Sequence, residues 1–163
     1  MRPKRQDKKT GDFEDPLSNY DPPVFADPLE ESLTDALTEL DTTPVEMVDS
    51  STTVGEAITR MSDRNIASVL IVDDGKLKGI FSERDVLYRV SDQFEQIKNE
   101  PVTTVMTQNP QVAYESDTPA KALNLMVTGG FRHVPILDAD DNVVGIIGPR
   151  RVTRYLQQYL KTD

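Results

Sequence analysis

The chain contains no cysteine and only one histidine. The missing cysteine removes disulfides, thiolate metal sites and cysteine nucleophiles together. A lone histidine, His133, with no cysteine beside it, offers no metal cluster and no Ser/His/Asp arrangement that can be placed. Long apolar runs are also lacking: none approaches the ~20 residues that a bilayer-spanning helix needs. The basic start at residues 1–9 is followed by no apolar stretch, so it does not read as a secretory signal. These absences point to a soluble, cytoplasmic, non-catalytic protein with no membrane segment.

Charge is scarce where it would matter for polyanions. The net charge is −10, but it is unevenly spread. Residues 10–49 hold twelve Asp or Glu and no Lys or Arg, whereas residues 50–163 hold thirteen basic and fifteen acidic residues. The body is thus nearly neutral, with no basic surplus for nucleic acid.

What the sequence does have is order along the chain. Residues 1–28 are polar, charged and proline-bearing, which predicts a disordered tail. In residues 29–42, Leu29, Leu33, Ala36, Leu37 and Leu40 fall at helical spacing and predict an amphipathic helix and linker. Such a helix can pack on the body or dock on a partner protein through residues 1–42.

The remainder repeats itself. Ala57 and Met61 align with Ala122 and Met126, and Ser68 to Asp73 align with His133 to Asp138, all at an offset of 65. From Gly79 and Gly145 onward the offset is 66, because the turn at residues 139–142 is one residue longer than that at 74–76. A length change confined to a turn is what a duplicated structural unit shows. Each copy, 43–97 and 98–163, reads as strand, helix, strand, strand, helix. The first strands fall at 46–49 and 111–114, and the closing helices at 83–94 and 149–160. Val69 to Val72 form a continuous apolar run, which predicts a strand buried on both faces. One copy of about 60 residues is marginal alone. The reading is an α+β fold whose two repeats pack sheet to sheet. The Asp138, Asp140, Asp141, Asn142 run has a faint calcium-loop look, but it is short and lacks the distal Glu, so a solvated turn is the better reading.

The duplicated motifs, residues 66–73 with 79–85 and residues 131–138 with 145–151, resemble a tandem pair of cystathionine beta-synthase (CBS) domains. The resemblance implies two repeats related by pseudo-twofold symmetry, no enzymatic activity of their own and no obligatory cofactor. It also implies regulatory binding of AMP, ADP, ATP or S-adenosylmethionine, and pairing into a homodimer. In that family a Gly-x-x-Ser/Thr-x-x-Asp segment ends a strand and opens a helix, its Asp reading the ribose hydroxyls and its Ser/Thr lying near phosphate. Gly79, Ser82 and Asp85 match it. The same Ser82 and Asp85 also fit an ordinary helix capping box. In the second copy Gly148 and Arg151 stand where Ser and Asp belong, and an arginine cannot accept a hydrogen bond. One competent cleft is therefore expected, the other being empty or holding an anion beside Arg150 and Arg151.

By the same resemblance, the ribose-reading Asp of one repeat faces strands of the other. That brings Gln111, Val112 and Ala113 near the adenine, and Arg132 and His133 near the phosphates. Ile80, Phe81 and Arg84 join the site beside Ser82 and Asp85, and Pro135 beside Arg132 and His133. The repeat that lost the ribose motif supplies the basic pair, while the repeat that kept it has Ala67 and Ser68 at the matching positions. Two readings remain: a nucleotide-sensing module, or a ligand-free interaction module acting on a partner.

Overall fold

The computed structural model describes residues 33, 35–43 and 45–159. The tail expected at 1–28 and most of the helix expected at 29–40 lie outside the described residues. What is described of that helix is a single 3-10 turn, Leu37–Glu39, between extended Ala36 and Leu40. Leu37 and Leu40 sit three residues apart, a spacing that one 3-10 turn brings to one face as well as an α-helix does, and both are buried.

The first half runs β1 (Met47–Val48), α1 (Val54–Asp63), β2 (Ser68–Asp73), β3 (Lys76–Ser82), α2 (Glu83–Asp85) and α3 (Phe94–Ile97). Thr53 opens α1 with a reciprocal capping box, Thr53 Oγ1 accepting from the Glu56 amide and Glu56 Oε2 from the Thr53 amide. The closing helix expected at 83–94 is not continuous. After α2 it passes through a π turn, Val86–Val90, and a 3-10 turn, Ser91–Gln93, before α3. The wider turn buries Val90 while turning Arg89 toward the carbonyls of Val105 and Met106.

The second half runs β4 (Thr107–Gln108), β5 (Ala113–Tyr114), α4 (Pro119–Gly129), β6 (Val134–Leu137), β7 (Val143–Ile147) and α5 (Pro149–Leu156). Thr118 caps α4, Pro119 occupies its first turn, and Gly130 ends it in the left-handed region at φ +66°. The sheet orders are β1-β2-β3-β4 and β5-β6-β7. β1 and β5 run parallel to β2 and β6, and the hairpins are antiparallel.

Alternation along β2 explains its burial on both faces. Val69 and Ile71 join Val54, Ala57, Met61 and Phe81 under the helices of the first half. Leu70 points the other way and meets Ile80 and Ile146 between the two sheets. The second half has its own core of Ala122, Met126, Val134, Ile136, Ile147 and Val152.

Each core also takes residues from the lead-in of the other half. Leu37 and Leu40 fill the second core, and Val102 and Val105 fill the first. The backbone follows the same rule. The Leu37 amide donates to Asp117 O at 2.8 Å, and the Val102 amide to Thr52 O at 2.8 Å. β4 pairs with β3, and the Thr42 carbonyl accepts from the Ile146 amide of β7. These contacts keep the offset of 65, so the repeat extends upstream of the boundary at residue 43 that the sequence suggested. Room for the exchange comes from glycines: a Cβ on Gly79 would lie 2.8 Å from Thr107 O, and one on Gly145 2.7 Å from Thr42 Cβ.

Candidate ligand-binding cleft

A cleft of about 1120 Å³ opens between the two halves. β3 ends at Ser82 and α2 begins, so the first half contributes Ile80, Ser82, Glu83, Arg84 and Asp85. The loops before β5 and β6 contribute Gln111, Arg132 and His133. These eight side chains come from separate stretches of chain and share one cavity.

Four expected site residues do not line it. Side chains alternate along β3, so Ile80 and Ser82 face the cleft while Phe81 is fully buried in the first core. Ala113 is fully buried in the second core. Pro135 is buried within β6, paired with Ile146 of β7. Val112 is half-buried and also outside the cleft lining. Conversely, Tyr88, Arg89, Thr107, Gly130 and Phe131 line the cleft without having been singled out. Thr107 is legible in principle, as the 65-offset partner of Thr42 on the exchanged segments.

Asp85 is 6% exposed and already bonded. Its Oδ2 accepts from the Ser82 amide at 2.9 Å and from the Ser82 hydroxyl at 2.7 Å. Its Oδ1 accepts from the Thr107 hydroxyl at 3.1 Å and pairs with Arg89 Nη1 at 3.2 Å. The carboxylate thus closes the first turn of α2 and ties it to β4. The Glu83 amide donates to Ala67 O, so both leading amides of this turn have protein acceptors.

One arginine reaches across the cleft and a second lines it. Arg84 Nη1 donates to the Gly130 carbonyl at 2.8 Å, and its guanidinium lies 5.8 Å from the centroid of the Tyr88 ring. Arg132 is exposed and has no bonding partner among the described residues. His133 packs against Gly148: a Cβ there would stand 3.0 Å from its Cδ2 and 3.2 Å from the Arg132 carbonyl oxygen. Burial holds the His133 pKa below the usual imidazole range, Arg132 and Arg151 push it the same way, and Glu83 opposes them.

At the pseudo-symmetric position Arg151 replaces the acid. Its Nη1 donates to the carbonyls of Asp41 and Thr43 in the other exchanged segment. Carboxylates in the turn at 138–142 are engaged within the fold: Asp138 accepts from the Asp140 and Asn142 amides of the turn, and Asp141 from the Tyr114 hydroxyl of β5. Among the described residues no group of three acidic or histidine side chains could hold a metal, and no helix is long and apolar enough to cross a membrane.

Fold and cleft define a paired-repeat module in which one cavity is assembled from both repeats. The chain belongs to the CBS-domain family: the CBS domain model matches residues 37–92 and 102–158. Among curated relatives it is 30% identical over 121 residues to an uncharacterised 17.7 kDa protein of Acidianus ambivalens, covering 74% of this chain and 72% of that one. It is 36% identical over 92 residues to CBS domain-containing protein CBSCBSPB1 of Arabidopsis thaliana, covering 56% of this chain but only 17% of that relative's length. Among solved structures, CBSX2 in complex with AMP shares 25% identity at a TM-score of 0.67, over 78% of this chain and 99% of that one. The CBS domain pair of MJ0100, solved with 5'-methylthioadenosine and S-adenosylmethionine, shares the fold at 24% identity and TM-score 0.66, over 77% of this chain and 98% of that one.

Proposed function

We propose that the chain is a regulatory module that binds an adenine nucleotide, AMP, ADP or ATP, in the cleft between its repeats. The observation that carries this is the convergence of Ser82 and Asp85 from one repeat with Arg132 and His133 from the other on a single cavity. A carboxylate can accept from vicinal ribose hydroxyls, and Arg132 can meet phosphate with fork geometry. The AMP complex of CBSX2 supports the ligand class, and S-adenosylmethionine is the alternative adenosyl ligand. Arg151 bonding to the carbonyls of Asp41 and Thr43 supports a single competent site per chain.

In this reading the module works in the cytoplasm, as a homodimer, with residues 1–42 available to a partner protein. Binding shifts the relation of the two repeats, and the partner responds to that shift. Such a switch requires the ligand to favour one state over the other. One observation favours a second reading, a ligand-free interaction module: both carboxylate oxygens of Asp85 already accept hydrogen bonds, one capping α2 through Ser82 and the other holding Thr107 of β4.

Thermal unfolding with AMP, ATP and S-adenosylmethionine, using Asp85→Ala as control, separates the two. A ligand at about 100 times its Kd adds about 2.7 kcal/mol. A shift present in the natural chain and lost in Asp85→Ala is the expected result. No shift with any of the three leaves the interaction module as the function.

A further inference from the structure

Resting on the nucleotide-binding reading, we infer that the cleft selects nucleoside monophosphates over triphosphates, with Glu83 as the residue that sets the discrimination. The argument is one of available charge. Three guanidiniums line the cleft: Arg84, Arg89 and Arg132. Arg89 is bound to Asp85 and to the carbonyls of Val105 and Met106. Arg84 is bound to the Gly130 carbonyl and rests on Tyr88. Arg132 alone has no partner among the described residues.

Other anion donors are committed as well. The amides of Ser82 and Glu83 already have acceptors in Asp85 and Ala67. His133 is biased toward its neutral form by burial. Against this single open cation stands the exposed carboxylate of Glu83, which lines the same cavity and acts on His133 through its charge.

One terminal phosphate carries a charge of about −1.5 to −2 near pH 7 and suits one arginine. A triphosphate adds two more ionised groups. Like charges within a few ångströms repel, and a partly enclosed cleft screens them less than water does. To accept the longer chain, the site would have to release Arg84 from Gly130 and bring phosphate close to Glu83.

The test is calorimetric titration of the full chain with AMP and with ATP in magnesium-free buffer, repeated for Glu83→Gln and Asp85→Ala. AMP should bind at least about tenfold more tightly than ATP, and Glu83→Gln should narrow that gap by about threefold or more, ATP affinity rising by more than AMP affinity. ATP binding as tightly as AMP, or a gap untouched by Glu83→Gln, overturns the inference while leaving nucleotide binding in place. Binding of neither nucleotide, or binding indifferent to Asp85→Ala, overturns the underlying reading and the inference with it.

Discussion

The Thr107 hydroxyl donates to Asp85 Oδ1 at 3.1 Å, joining the acid of the first repeat to the exchanged strand of the second. Under the nucleotide-binding proposal, a ribose hydroxyl would compete with this bond for Asp85 Oδ1. Thr107→Val keeps the side-chain shape and frees the acceptor. It should raise AMP affinity up to about fivefold, the value of one hydrogen bond of about 1 kcal/mol, and lower the melting temperature slightly. Titration calorimetry and a melting curve read both effects. Weaker binding in Thr107→Val would show that the hydroxyl itself contacts the ligand.

Gly148 should matter to the cleft although its own repeat has lost the ribose motif. A serine there, as in the first repeat, would press its Cβ against His133 and the Arg132 carbonyl. Gly148→Ser is expected to weaken AMP binding about tenfold or more by displacing the pair, with no second site gained because Arg151 still occupies the acid's position. Binding of two nucleotides per chain in Gly148→Ser would contradict this.

His133 gives stability a pH dependence of definite sign. Its folded pKa is depressed, so below the unfolded value of about 6.5 the unfolded chain binds more protons. Stability should therefore fall as pH drops through about 6.5, and level off below the folded value. Melting temperatures from pH 7.5 to 5.5 should show the decline, and His133→Gln should remove it. Asp49, Asp73 and Asp138, all held low by hydrogen bonds, lose their contributions only nearer pH 4 and below, so the two windows separate.

Leu37 is 1% exposed in the second core. Leu37→Ala should cost about 2–5 kcal/mol, as other buried leucine truncations do. Chemical denaturation followed by circular dichroism measures it. A loss below about 0.5 kcal/mol would mean that the lead-in packs only loosely in solution.

The duplication and both hairpins were legible because apolar alternation and a constant offset survive in single residues such as Ala57 and Ala122. The same alternation rule, applied to β3, would have kept Phe81 out of the cleft. In the described part of the lead-in a 3-10 turn stands where helical spacing pointed to an α-helix, because Leu37 and Leu40 satisfy both. The π turn at Val86–Val90 had no sequence signal of its own: it follows from Val90 seeking the core while Arg89 seeks carbonyls on another segment. Asp85 illustrates a different limit. Capping and ribose reading call for the same carboxylate, so the residue type at position 85 does not separate them.

The exchanged lead-ins have a bearing on how the molecule comes apart. Each repeat lends two apolar residues to its neighbour's interior, so neither can melt without stripping the other. The chain should unfold in one step, and a proteolytic nick between residues 37 and 47 should loosen the distant half as much as the near one. Under the nucleotide-binding proposal, occupying a single cleft would steady the whole protein and make a small ligand felt on every face.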